Sequence, residues 1–203
     1  MTHRCGRRVA AAGLAIALVA AAASCNRGGE ASPTNSPSGG PVATEPGGSV
    51  SFPLPEDTAG AVKLAGLSLL PQEATEYDVR AHLDVVVDGK AVAVPADIGI
   101  DVESKQLSPL HTHDATGVVH IAAPKADTFR VGQLFQEWGV TLTKTCLGSY
   151  CADDTHQLLG FDDGQLVPDP ASIPFDDQAE IVIWFGPKGT NPPVPTTYAF
   201  PPA

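Results

Sequence analysis

This sequence is poor in cysteine, aromatic side chains and positive charge. It has 4 cysteines, 6% aromatic residues, and 12 basic against 23 acidic residues, for a formal net charge of -11. Binding to nucleic acid or to anionic lipid headgroups needs a basic surface, so this composition argues against both kinds of partner. Gly-x-Ser-x-Gly, His-Glu-x-x-His and phosphate-loop motifs are also absent from the sequence, which removes the usual signs of common enzyme classes.

The first 24 residues have the layout of a secretory signal peptide. Arg4, Arg7 and Arg8 form a positive start, and the uncharged apolar run Val9–Ala23 follows. The run ends in small residues and is shorter than the roughly 20 residues of a membrane span. Residues 1–24 are therefore predicted to direct export and to be removed.

Cys25 stands directly after this segment. Ala22-Ala23-Ser24-Cys25 resembles the lipobox of bacterial lipoproteins. The resemblance implies cleavage before Cys25, a diacylglycerol thioether on its sulfur, and acylation of the new amine with a chain such as palmitate. Two or three acyl chains hold a protein stably, so the expected location is the extracytoplasmic face of the cell membrane. An ordinary secretory signal followed by an unrelated cysteine is the alternative.

Three segments are predicted after the cleavage site. Residues 25–57 comprise the lipidated cysteine and a flexible linker rich in Gly, Pro and Ser, which has too few apolar groups to offset the entropy of ordering. Residues 58–190 are expected to form a single domain, and residues 191–203 a Pro-rich tail.

The domain begins with two predicted hairpins. Alternating apolar residues from Ala81 to Val87 predict a strand, Asp88-Gly89 a tight turn, and Lys90–Val94 the returning strand. Gln106–His113 and Val118–Ala122 are predicted to pair around a four-residue loop.

A helix and three further strands complete the predicted fold. The helix is expected between an N-cap at Thr128 and a C-cap at Gly139. Its apolar residues recur at helical spacing: Val131, Leu134, Phe135 and Trp138. The strands are expected at Val140–Lys144, Gln165–Val167 and Ile181–Phe185. This order predicts an α+β fold with a small mixed β-sheet and one main helix.

The fold also resembles the β-grasp. Residues 174–183 are similar to the end of sulfur-carrier and TGS-type domains. The Gly-Gly end of sulfur carriers is missing, so the resemblance does not imply their chemistry.

Cys146 and Cys151 are the cysteines that remain once Cys5 leaves with the signal and Cys25 is lipidated. Disulfides persist outside the cytoplasm, so a structural disulfide is predicted. A thiol metal site or a redox pair is the alternative, although the spacing is not Cys-x-x-Cys.

The histidines carry the main functional prediction. In the predicted hairpin, His111 faces His120, and His113 lies on the same face because residues two apart on a strand share a face. Three converging imidazoles suit Zn or Cu. His82 is predicted as a fourth ligand from a neighbouring strand, and Asp114 as a ligand or as a partner that orients an imidazole. The alternative is that these histidines face solvent or serve the core.

The block from His111 to His120 also supports a family resemblance. Together with the hairpin around Gly89 and the helix, its pattern His-Thr-His-Asp-x-x-Gly-x-x-His is similar to extracytoplasmic proteins of actinobacteria and archaea, to which no activity is assigned. The resemblance implies that these residues belong together. The sequence therefore predicts a non-catalytic metal-binding lipoprotein, with His156 in an exposed loop. A structural or protein-interaction domain without metal, and a metalloenzyme of unknown substrate, are the alternatives.

Overall fold

A computed structural model describes residues 50–201 of the chain. The predicted signal peptide, Cys25 and the linker up to residue 49 lie outside the described residues, as do the last two residues of the predicted tail. Between residues 50 and 201, no helix is both long and apolar enough to cross a membrane.

Seven strands of the described chain form one mixed sheet, and four more form two small hairpins. The strands of the main sheet are β1 (Tyr77–Val87), β2 (Lys90–Val92), β5 (Leu110–His111), β6 (Val118–Ala123), β9 (His156–Asp162), β10 (Gln165–Val167) and β11 (Glu180–Pro187). The small hairpins are β3 (Ile100–Asp101) with β4 (Gln106–Leu107), and β7 (Cys146–Leu147) with β8 (Tyr150–Cys151). The helices are α1 (Thr58–Leu64), α2 (Val131–Glu137) and a 3-10 turn at Pro170–Ser172.

A parallel pair, β1 and β11, forms the centre of the main sheet. The strand order across the sheet is β10-β9-β11-β1-β6-β5, and β2 lies beside the second half of β1. All pairings in this sheet other than β1–β11 are antiparallel. The predicted α+β class with a mixed sheet is confirmed. The one main helix of the prediction is replaced by two helices of seven residues each.

The first hairpin forms where the alternation predicted it. The side chains of β1 that face the core are at most 1% exposed: Ala81, Leu83, Val85 and Val87. Asp88 and Gly89 have φ angles of 49° and 75°, and two positive values in succession fit the right-handed twist of the strands they join.

Helix α2 buries all four residues of its predicted apolar stripe. Its predicted start is wrong, because Arg130 and not Thr128 is the N-cap residue. A bridge to Pro174 keeps Arg130 extended, and the Arg130 N–H donates to the Gln133 side chain at 2.9 Å. Tertiary pairing therefore fixes the first turn. The C-cap residue is Trp138 and not Gly139, which lies one residue past the C-cap with a φ of 75°.

Two of the predicted strands are wrong. Residues 140–144 form only an isolated bridge, between Leu142 and Leu147. The predicted strand 106–113 is split into β4 and β5 around Pro109, which has no N–H to donate to a ladder. β4 pairs with β3, so only β5 pairs with β6.

Strand β9 was not predicted. Gly160 interrupts its apolar pattern, at a point where an added Cβ would lie 2.9 Å from the Cα of Pro170. The glycine therefore allows the 3-10 turn to pack directly on the strand.

The main core lies between the sheet and the helices, and residues before position 58 join it. Phe52 packs edge-on against Trp138 with ring centroids 5.9 Å apart, and the indole N–H of Trp138 donates to the Phe52 carbonyl at 3.0 Å. A smaller apolar cluster covers the other face of the sheet and comprises Phe161, Val182 and Trp184, with Val194 of the Pro-rich tail packed against it. The tail therefore contacts the domain.

Candidate metal centre

The hairpin of β5 and β6 brings three histidines together on the face of the sheet opposite the main core. His111 and His120 are direct partners across the two strands, as predicted. His113 lies just past the end of β5, in the loop that leads to β6. The His113 ring centroid is 4.8 Å from that of His111 and 4.6 Å from that of His120.

Glu73, which the sequence did not predict as a ligand, completes this group. One side-chain donor atom from each of Glu73, His111, His113 and His120 lies within 4.8 Å of all the others. Glu73 Oε1 is 3.3 Å from His111 Nε2 and 3.9 Å from His113 Nε2. Ligands around a tetrahedral zinc, with bonds of about 2.0–2.1 Å, are roughly 3.3–3.4 Å apart. The Glu73–His111 pair already has this spacing, and the other donor atoms would have to move closer together to bind one ion.

A long-range contact puts Glu73 in place. The segment before it is held by a bridge between Leu70 and Leu107 of β4, and the segment after it enters β1 at Tyr77. The intervening residues therefore reach the His hairpin. Nothing in the local sequence around Glu73 distinguishes it from the other acidic residues of a surface loop.

His111 has a defined proton arrangement. Its side chain is fully buried, and Nδ1 lies 2.9 Å from the Ser108 carbonyl, which can only accept a hydrogen bond. Nδ1 therefore carries the proton, and in the neutral ring Nε2 carries the lone pair. Burial, assisted by the neighbouring His113, lowers the pKa of His111 to about 4 against the opposing effect of Glu73. The ring is thus neutral at physiological pH.

This arrangement leaves two acceptors close together. The Nε2 lone pair of His111 is buried without a hydrogen-bond partner in the described structure, and a Glu73 carboxylate oxygen lies 3.3 Å away. Two lone pairs this close repel unless a positive charge lies between them. A proton on Nε2 would serve, but burial opposes it; a metal cation would satisfy both atoms.

His120 and His113 form the more open side of the group. Burial lowers the pKa of His120, and the neighbouring His113 adds to this effect. The side chain of His113 is about half exposed, at 48%. Both rings line an open cavity of about 290 Å³ whose wall also includes Glu73, Asp78 and Arg80. A small molecule can therefore reach the group from this side.

Asp114 shapes the loop between the histidines. Its Oδ1 accepts hydrogen bonds from the backbone N–H of Thr116, at 2.9 Å, and from the Thr116 hydroxyl. These two bonds lower the pKa of the Asp114 carboxyl. The carboxylate thus acts on the loop backbone, and not as the ligand or imidazole-orienting partner that the sequence predicted.

The structure does not bring His82 to the three histidines. It belongs to a second group with the buried Glu180 and the half-buried Asp84. Its Nδ1 lies 3.0 Å from Glu180 Oε2, and its Nε2 lies 3.0 Å from the Thr116 carbonyl. Burial raises the pKa of Glu180, and the hydrogen bond and charge of His82 act against that rise. Glu73 is therefore the fourth member of the group with the three histidines, the place that the sequence predicted for His82.

A second buried acid, Glu137, lies behind His111. It is 1% exposed, and Ser108 donates its hydroxyl to Glu137 Oε1 while the Ser108 carbonyl accepts from His111. Burial raises the pKa of Glu137 to about 8, and the Ser108 hydrogen bond acts against this. The sequence held a weak signal for its burial, since Glu137 follows Leu134 of the apolar stripe at helical spacing.

The remaining predicted residues lie away from this group. Cys146 and Cys151 are direct partners in the β7–β8 hairpin and form the predicted disulfide. His156 is not in an exposed loop; it begins β9, is about one-third exposed, and stacks on Phe185. No family model, curated protein or solved structure matches this chain.

Proposed function

We propose that this chain is a lipoprotein anchored on the extracytoplasmic face of the cell membrane, and that its domain binds one divalent transition metal, zinc or copper, without catalysing a reaction. The proposed ligands are Glu73, His111, His113 and His120.

The observation that carries the metal assignment is the buried Nε2 of His111. It has no hydrogen-bond partner among the described residues, its tautomer is fixed by Ser108, and it lies 3.3 Å from a carboxylate oxygen of Glu73. A buried acceptor without a partner costs about 1–3 kcal/mol, which a bound ion would recover.

The donor set favours zinc or copper over calcium and magnesium. Imidazole nitrogens suit Zn and Cu, whereas Mg and Ca prefer oxygen ligands throughout. Three imidazoles and one carboxylate supply the four ligands of a closed tetrahedral site, which supports a binding role more than a catalytic one.

Support for the anchor comes from the residues of the N-terminus alone. The positive start, the short apolar run and the small residues before Cys25 form the pattern of an exported lipoprotein. The Cys146–Cys151 disulfide is in keeping with an oxidising compartment.

The metalloenzyme is a second candidate, because a cavity of about 290 Å³ opens onto His113 and His120. If the ion kept one coordination position towards this cavity, a small molecule could bind there. A metal-free interaction domain is the remaining alternative.

The deciding experiment is a calorimetric titration of the full chain, purified without a His-tag, with Zn²⁺ and Cu²⁺. Wild type should bind one equivalent. His120→Gln and Glu73→Gln should each lose more than the roughly 10–100-fold that changes to outer partners cost. His156→Gln is the matched control and should bind like wild type, since His156 lies outside the group.

Two results would contradict the metal assignment. One is wild-type binding no tighter than that of a generic acidic protein. The other is an equal loss of affinity in His156→Gln and His120→Gln.

A further inference from the structure

The loop that joins His113 to β6 is held from outside the proposed metal site. His82, on the neighbouring strand β1, has its Nε2 3.0 Å from the carbonyl of Thr116. The next residue along β1 makes a second bond, because the Leu83 N–H donates to the Gly117 carbonyl at 2.9 Å. Two consecutive carbonyls of the loop are therefore fixed to β1.

His82 is itself fixed on its other sides. Nδ1 lies 3.1 Å and 3.0 Å from the two carboxylate oxygens of Glu180, which is 1% exposed. The ring of Tyr198, from the Pro-rich tail, stacks on the imidazole with centroids 3.8 Å apart and planes 7° from parallel. The imidazole therefore cannot turn without breaking a buried hydrogen bond.

The hydrogen-bond chemistry defines how His82 holds the loop. The Thr116 carbonyl can only accept, so Nε2 must donate to it. Nδ1 lies within hydrogen-bond distance of the Glu180 carboxylate, and one proton shared between the two groups makes this contact a hydrogen bond whichever of them carries it. Both ring nitrogens thus have partners outside the group of His111, His113 and His120.

The loop also packs on His82 without a gap. Gly117 has a φ of 87°, and a Cβ at this position would lie 2.8 Å from His82 Nε2 and 2.7 Å from the Leu83 carbonyl. Glycine is required here for both reasons. The position of the imidazole therefore determines the path of the loop backbone.

We propose that His82 is a positioning residue of the metal centre and not one of its ligands. The Glu180–His82–Thr116 chain fixes the loop that carries His113 and leads into His120, so both imidazoles are in place before an ion arrives. This inference rests on the proposed function. It concerns residues that do not bind the ion but orient the residues that do. Mutation of such residues typically changes metal affinity by about 10–100-fold.

The test compares three variants of the full chain at a temperature where all are folded. His82→Ala removes the bond to the loop, and its Zn²⁺ affinity should fall by about 10–100-fold. His82→Gln keeps an N–H near the position of Nε2 and should recover most of the affinity. Val182→Ala, a buried change on β11 in the smaller apolar cluster, should lower stability but leave the affinity within about twofold.

A spectroscopic measurement separates a positioning residue from a ligand. Pulsed EPR of the Cu²⁺-loaded protein counts the coordinated imidazoles, and this number should be the same in His82→Gln and wild type. Loss of one imidazole in His82→Gln would make His82 a ligand and would overturn the inference.

Hydrogen exchange in the metal-free protein tests whether His82 holds the loop, independently of whether the protein binds a metal. The amides of Leu83 and Thr116 should exchange faster in His82→Ala than in wild type or Val182→Ala. If wild type binds no metal, the proposed function fails and exchange alone decides whether His82 positions the loop. Unchanged exchange in His82→Ala, or faster exchange with an unchanged affinity in a metal-binding wild type, would overturn the inference.

Discussion

The buried carboxyl of Glu137 should make the stability of the fold depend on pH. Glu137 is 1% exposed, and burial raises its pKa from 4.5 to about 8, against the effect of the Ser108 hydrogen bond. Its Oε2 has no hydrogen-bond partner in the described structure. An ionised carboxylate would thus be poorly compensated at this position.

The sign of the effect follows from the two pKa values. Below pH 4.5 both the folded and the unfolded chain hold the proton, and stability is at its full value. Between pH 4.5 and about 8 only the unfolded chain releases it, so the free energy of unfolding falls as the pH rises. Each pH unit in this interval lowers the free energy of unfolding by about 1.4 kcal/mol. At pH 7 this free energy is therefore about 3 kcal/mol lower than it is below pH 4.5.

Glu137→Gln is the variant that tests this, because glutamine is close in shape and neutral at every pH. The free energy of unfolding of Glu137→Gln, relative to wild type, should increase as the pH rises from 5 to 8. The glutamine also buries an unpaired N–H, which costs about 1–3 kcal/mol, but this cost is the same at every pH. Urea unfolding in the presence of a chelator, followed by the fluorescence of the buried Trp138 and Trp184, measures the difference. Glu103→Gln, at an exposed position, is the control. The reasoning fails if the difference between Glu137→Gln and wild type is the same at pH 5 and pH 8.

The metal centre, the disulfide and the lipid anchor each give one further prediction. Zn²⁺ affinity should fall as the pH drops from about 7 to about 5, but less steeply than for free imidazoles. The reason is that burial lowers the pKa of His111 to about 4 and also lowers that of His120. Zn²⁺ titrations across this pH range measure the effect, and a loss of affinity as steep as for free imidazole would contradict the prediction. Alkylation without reductant should leave Cys146 and Cys151 unmodified by mass spectrometry, and reduction should cost roughly 2 kcal/mol because the closed loop is short; two modified thiols would refute the pairing. Cys25→Ala should abolish incorporation of radioactive palmitate, and label that persists on the variant would exclude Cys25 as the lipidated residue.

Local patterns predicted the parts of the fold that depend on local interactions. The β1–β2 hairpin follows from period-two alternation and Asp88-Gly89, and the face of α2 follows from its apolar spacing. The pairing of His111 with His120 was predictable for the same reason, since the length of the intervening loop sets the register. Each of these features is decided by residues close together in the chain.

Features that depend on distant residues were missed or misplaced. Glu73 reaches the histidines through the bridge between Leu70 and Leu107, and no local rule predicts that bridge. Glu180 meets His82 because the last strand runs parallel to the first. The sequence places His82 on β1 but predicts it as a fourth ligand, because its role depends on which strand lies beside β1.

The two buried acids lie at opposite ends of the segment that carries the histidines, and this placement is hard to explain by stability. Glu137 contacts Ser108, whose carbonyl orients His111; Glu180 contacts His82, which holds the loop at Thr116. Apolar residues of similar volume at such positions are often as stable or more stable, because they avoid the cost of desolvation. A fold shaped by stability alone would therefore gain little from either acid. Departures from the rules of core packing concentrate where a structure serves a function, and here both departures fix the same hairpin, on which three imidazoles converge.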